Sequence, residues 1–251
     1  TGDANNSTNF WYQNLAQQAD DGDLDKFTMI WMPPPQKSSA GRQSVGYDPF
    51  DYYDLGSYDD KGSVETRYGS EANLKSCVDA LRGRGIQPIV DLVLNHNQNG
   101  NDTGTNKFVF TYPDHNTFEK LDPTGDDGND YYNDSTNNAP FHYEYGYGRD
   151  VNFEQPYMRQ GIKAWGDWVT AKVGYQGYRW DLAFNIDPWY ISEFMRSGLK
   201  KNRFSVMEYW AKETEGTTGE METWLALTDY SSAMFDMPLR DKLKDLCENP
   251  G

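Results

Sequence analysis

Two short apolar runs, GYRWDLA at 177–183 and FSVMEYW at 204–210, restrict the possible folds of this chain more than any other feature. Both are rich in aromatic and β-branched residues, both end near a carboxylate, Asp181 and Glu208, and the segment between them has helical spacing. Strand, helix and strand at this length form a right-handed parallel unit, so the two strands point the same way. Folds built from such units place their chemistry at the carboxyl ends of the strands, which predicts Asp181 beside Glu208. Arg179 lies two residues before Asp181 and shares its face of the strand. A guanidinium there is expected to hold Asp181 ionised and leave Glu208, in the more aromatic setting, as the proton donor. Two carboxylates in different protonation states are what cleavage of a glycosidic bond requires. The plainer alternative, two polar residues that merely end strands, stays open at this point.

Composition narrows the partners. With 23 basic and 39 acidic residues the net charge is −16, which argues against nucleic acid, an anionic membrane surface and a phosphorylated substrate. The 18 Tyr and 8 Trp supply rings able to stack on sugars, although much of that load serves a core. Cys77 and Cys247 are the only cysteines, expected as free thiols on separate helices, so neither a disulfide framework nor a cysteine zinc site is available. No stretch approaches the roughly 20 apolar residues of a membrane span. The sequence opens at Thr1 without Met, which reads as a processed or trimmed terminus. Acidity and low hydropathy suit an extracellular, secreted or salt-adapted enzyme.

The strand and helix alternation recurs along the chain. Residues 9 to about 21 read as a helix with Phe10, Trp11, Leu15 and Ala19 on one side and Asn9 as its cap. FTMIWM (27–32) reads as a buried strand, stopped by Pro33, Pro34 and Pro35. A long loop (36–69) leads to Ser70, which caps a helix with Leu74, Cys77, Val78 and Leu81 on one buried stripe, ended by Gly83 and Gly85. IQPIVDLVLNH (86–96) is apolar on both faces, as a buried parallel strand should be. From Asn97 to about Arg149 the period fades into Asn, Asp, Gly, Thr and Tyr, which reads as an inserted subdomain organised by short strands or bound ions. Pro156 opens a helix through Met158, Ile162, Trp165 and Val169 to about Val173. After the Asp181 strand comes a helix from Pro188 to about Lys200, capped by Asp187. The Glu208 strand leads to a helix near 220–227, a fifth strand at 233–237 and a last helix from Leu239 to about Glu248. This rhythm predicts an α/β fold, a partial (β/α)8 TIM-type barrel without its first, seventh and eighth strands. Its parts would be 1–97, an insertion at 98–149 and 150–251.

The motifs resemble those of the α-amylase family, glycoside hydrolase family 13, over essentially the whole chain. DLVLNHN (91–97), GYRWDLAFNI (177–186) and VMEYW (206–210) are similar to its first three signatures and stand in its order. IWMPPP (30–35), GYDPFDYYDLG (46–56) and TRYGS (66–70) are similar to connecting motifs of bacterial members. The resemblance implies retaining hydrolysis of internal α-1,4 bonds in an α-glucan or maltooligosaccharide. Asp181 would be the nucleophile and Glu208 the acid and base, with carboxyls roughly 5 to 5.5 Å apart. Arg179 would keep Asp181 charged, His96 would hydrogen-bond the sugar being cleaved, and Tyr47 would stack on it. Read without the motifs, His96 is as readily a satisfied structural residue and Tyr47 one more surface ring.

The same resemblance implies Ca2+, held by Asn95 and Asp150 at the two ends of the insertion and by the carbonyl of Asn185, with Asp122 to Asp130 as a further source of oxygens or a solvated acidic loop. Two departures accompany it. Phe184 stands where many members carry a Lys that contacts the leaving side. The fourth signature, with its Asp and His, has no counterpart before Gly251, so the sequence reads as a fragment of weak or no activity whose open sheet edges could self-associate. The remaining readings are another member of the clan, an α-glucosidase or glucanotransferase, and a glucan-binding protein without catalysis.

Overall fold

The computed structural model describes residues 10–98, 100–102, 108–110, 149–210 and 218–249. Its centre is a five-stranded parallel sheet, β1 (Met29–Met32), β4 (Gln87–Leu92), β9 (Gly177–Trp180), β10 (Phe204–Met207) and β11 (Ala233–Met234), in that spatial order. Neighbours in space follow one another along the chain, with helices α2 (Glu71–Gly83), α3 (Pro156–Val173), α4 (Pro188–Met195) and α5 (Thr218–Leu227) in the crossovers or beside them. Helix α1 (Trp11–Asp20) precedes the sheet and α6 (Met237–Glu248) follows it.

Strand alternation divides the side chains between two faces. Val90, Leu92, Tyr178, Trp180 and Met207 join the buried core with Leu74, Cys77, Val78 and Leu81 of α2 and Ile162, Trp165 and Val169 of α3. Trp31, Asp91, Arg179 and Val206 occupy the opposite face. The apolar stripes of α2 and α3 are buried at the expected positions, and Ser70 caps α2 by accepting the Asn73 N–H at 3.2 Å.

Several expectations change in detail. The cap position of α1 is Phe10, whose N–H donates to Gln13 Oε1, and Asn9 lies outside the described residues. β1 is an edge strand rather than a buried one, with Trp31 47% exposed. The strand expected at 86–96 ends at Leu92, and His96–Asn97 (β5) turns away to pair antiparallel with Arg149–Asp150 (β8). Helix α4 stops at Met195, before a separate 3-10 turn at Gly198–Lys200, and the side chain of Asp187 does not close its cap. Both cysteines are free, Cys77 buried and Cys247 exposed. Within the insertion, Gly100–Asp102 (β6) pairs with Phe108–Phe110 (β7), while Asp122–Asp130, His115 and His142 lie outside the described residues.

A side hairpin, Lys37–Ser38 (β2) and Pro49–Asp51 (β3), carries Tyr47 in its connection. Asp48 staples that connection by accepting from Ser39 Oγ at 2.7 Å and the Ala40 N–H at 3.0 Å, and it also binds Ser44. Lys37 is fully buried, 3.3 Å from Asp54, and donates to the carbonyls of Tyr58, Ser63 and Val64. A buried ammonium satisfied in this way pins the following loop to the hairpin.

Candidate active site

Register assembles the site. Asp91 pairs with Arg179 across β4 and β9, and Val206 pairs with Arg179 across β9 and β10. Glu208 lies two residues past Val206, on the same face, and its N–H donates to the Trp180 carbonyl. The guanidinium of Arg179 therefore meets three carboxylates. Nη1 donates to Asp181 Oδ1 at 2.7 Å and to Asp91 Oδ1 at 2.8 Å, and Nη2 lies 2.8 Å from Glu208 Oε2. Glu208 also accepts the Leu182 N–H at 3.3 Å. Leu182 adopts φ of +48°, a strained left-handed turn that swings the chain around Glu208 immediately after Asp181.

Asp91 is the residue that the sequence reading missed. It is fully buried, and its Oδ2 accepts from Trp31 Nε1 at 3.1 Å and from the Tyr47 hydroxyl at 2.8 Å. The signal was present: an acid inside an otherwise apolar strand must find a partner, and Arg179 is the buried cation that its register offers.

This third carboxylate also changes the expected protonation. Burial and the charge of Asp91 outweigh Arg179 and push the Asp181 carboxyl up to about 7 instead of holding it low. One guanidinium cannot neutralise three acids, so the cluster retains a proton near neutrality.

Burial, and with it the charge of Asp91 that its hydroxyl donates to, raises the ionisation of Tyr47 far above the usual range. His96 is buried, and its Nε2 donates to the Tyr47 carbonyl at 2.9 Å. Burial lowers its affinity for a proton, so the ring is neutral and acts here through the Tyr47 main chain. Phe184 packs edge-on against Tyr209 with ring centroids 6.2 Å apart, the one three residues after Asp181 and the other next to Glu208 in the chain.

The three expected metal ligands converge. Asn95 Nδ2 donates to Asp150 Oδ1 at 3.1 Å, and Asn185 Nδ2 donates to Asp150 Oδ2 at 3.2 Å and to Asn95 Oδ1 at 3.0 Å. All three are buried. It is the side-chain amide of Asn185, rather than its carbonyl, that faces the cluster in these contacts. Among the described residues no group of three or more His, Cys, Asp or Glu side chains is placed to hold a metal ion, so a cation here would depend on amide and main-chain oxygens. A half turn of each amide exchanges its nitrogen for its oxygen, and that donor set suits a hard cation.

Fold and site define a class: a parallel α/β scaffold with an acid pair and an arginine at the carboxyl ends of adjacent strands. The alpha amylase catalytic domain model matches residues 24–233, and the chain belongs to that family. It is 25% identical over 282 residues to the cytoplasmic alpha-amylase of Escherichia coli, covering 93% of this chain and 56% of that protein. It is 26% identical over 293 residues to a glucan 1,4-alpha-maltohexaosidase of Bacillus sp. (strain 707), covering 98% and 55%. The structure of an alpha-amylase from Geobacillus thermoleovorans complexed with acarbose superimposes with a TM-score of 0.64 at 19% identity, covering 97% of this chain and 49% of that one. The chain thus spans about half the length of the relatives it matches.

Proposed function

We propose that this chain carries the nucleophile and the acid of a retaining endo-hydrolysis of α-1,4-glucosidic bonds in starch and related glucans, on five strands of a barrel of the (β/α)8 type. The observation that supports it most is the single Arg179 guanidinium that touches both Asp181 and Glu208, which turns the two carboxyls toward one linkage. Family membership and the acarbose complex of the Geobacillus relative support the substrate class. In the first step an Asp181 oxygen bonds the anomeric carbon while the bond to the leaving oxygen breaks and Glu208 gives that oxygen its proton. In the second, Glu208 takes a proton from water, whose oxygen displaces Asp181 and frees the sugar.

Asp181 must be ionised to attack. With its carboxyl pushed up to about 7, turnover is expected to fall as pH drops below that value. The direct test is a fluorinated α-glucosyl fluoride whose covalent intermediate persists, followed by peptide mass spectrometry. Label on Asp181, lost in Asp181→Asn, is the expected result. Starch hydrolysis that survives both Asp181→Asn and Glu208→Gln would overturn the assignment, and undiminished maltooligosaccharide binding without any label would favour a non-catalytic glucan binder.

Calcium is part of the proposal. Asn95, Asp150 and Asn185 would hold it, and it would supply a structural tie between β5 and β8 beside His96 rather than a reacting group. Secretion is a separate proposal resting on acidity and low hydropathy alone.

A further inference from the structure

The proton balance of the acid cluster carries a further inference, which rests on reading Asp181 and Glu208 as the reacting pair. Arg179 contributes one positive charge against the carboxylates of Asp91, Asp181 and Glu208. Three ionised acids would leave two uncompensated negative charges in a largely buried site, so one carboxyl keeps its proton near neutrality. Catalysis needs that proton on the Asp181 and Glu208 pair. Held by Asp91, it would be out of reach of the leaving oxygen.

Hydrogen-bond donors decide where it goes. Three donors aim at Asp91: Arg179 Nη1 at 2.8 Å on Oδ1, and Trp31 Nε1 at 3.1 Å and the Tyr47 hydroxyl at 2.8 Å on Oδ2. Hydrogen bonds to the charged form favour it. A hydroxyl can reverse its role and accept, whereas an indole or guanidinium nitrogen can only donate. Of the two fixed donors Arg179 is shared among all three acids, and Trp31 serves Asp91.

Trp31 is also placed for this task by its ring, whose centroid lies 4.4 Å from Arg179 Cζ, so one side chain covers the cation and fixes the anion. Asp91 is faced by Trp31 from β1, by Tyr47 from the β2–β3 connection and by Arg179 and Asp181 from the β9 side. Glu208 reaches it through Arg179, and Tyr68 and Tyr175 sense its charge at longer range.

We propose that Trp31 is a positioning residue: its indole N–H helps keep Asp91 ionised and so reserves the one retained proton for the Asp181 and Glu208 pair. Burial outweighs Arg179, Tyr47 and Trp31 and leaves the Asp91 carboxyl raised, so its charge depends on each of those three restraints, and removing the indole N–H removes one of them.

The test is a site-resolved carboxyl titration of the whole chain labelled with [γ-13C]aspartate, with Asp91→Asn and Asp181→Asn assigning the signals. In the unaltered protein Asp91 should stay flat over the range in which Asp181 titrates. In Trp31→Phe, which keeps a ring over Arg179 but no donor, Asp91 should gain a titration step and the Asp181 midpoint should fall by about one pH unit, the effect of losing one charge-assisted hydrogen bond. If the Phe variant does not fold, β-(3-benzothienyl)alanine at position 31, with sulfur in place of N–H, decides the matter by the same shift. An Asp91 signal that titrates in the unaltered protein, or an Asp181 midpoint unmoved by loss of the N–H, would overturn the proposal. The two readings fail separately. A covalent label that misses Asp181 sinks the catalytic assignment without touching the titrations, and unmoved titrations leave a label on Asp181 intact.

Discussion

Asp181 sits where a carboxylate is poorly stabilised, buried, facing Asp91 and sharing its one cation with two other acids. Linkage gives this a measurable sign. An unfolded Asp titrates near 3.9 and the folded carboxyl near 7, so the folded state binds the proton more tightly. The resulting stability is fully present below about pH 4 and is lost as pH rises through 7. Asp181→Asn should therefore flatten the decline and stabilise the protein at pH 8 by roughly 1–3 kcal/mol, while leaving stability at pH 4 nearly unchanged. Urea denaturation of both proteins at the two pH values checks this, and parallel curves would contradict it. The residues of this site were unevenly legible in the sequence. Asp181, Arg179 and Glu208 follow from period-two alternation on two strands, but Asp91, the neighbouring charge that with burial raises Asp181, comes from a third strand whose register no local pattern records.

Elements read best where one face is buried against one neighbour. The stripes of α2 and α3 obey helical spacing because each helix packs against the sheet, and their ends match the caps and prolines that set them. β1 was misjudged because its MIWM pattern is as apolar as a central strand, and its place at a margin of the sheet depends on which strands pair. Helices α3 and α4 approach closely at Gly166. A Cβ at Gly166 would lie 2.6 Å from Phe194 Cζ and 2.8 Å from its Cε2. Alanine in a helix interior ordinarily gains up to about 1 kcal/mol over glycine. Here Gly166→Ala should instead lower stability by roughly 1–3 kcal/mol through overpacking, because Phe194 is buried with no space to retreat. A lower urea midpoint bears this out, and a raised one means the helices can part.

For the molecule as a whole, a calcium ion at Asn95, Asp150 and Asn185 would act by mass action, binding the folded chain and not the unfolded one. Melting temperature should then rise with free Ca2+ and fall with chelator, by an amount that grows with the logarithm of concentration. Asp150→Asn should abolish that dependence, and a melting temperature indifferent to Ca2+ would remove the ion from the account. Helix α6 has no buried residue, with Leu239, Leu243 and Leu246 all exposed, so its sequence foretold a helix but not what it packs against. The sheet itself is strongly curled. Trp31 and Phe235 come from β1 and from the residue following β11, the two margins of five strands, yet their ring centroids lie 6.0 Å apart. Flattening the sheet would pull that pair apart and draw the indole off its carboxylate in one movement. Curvature and acidity are thereby geared together, so a probe of the aromatic contact, such as Trp31 fluorescence, doubles as a gauge of whether the cluster still holds its proton.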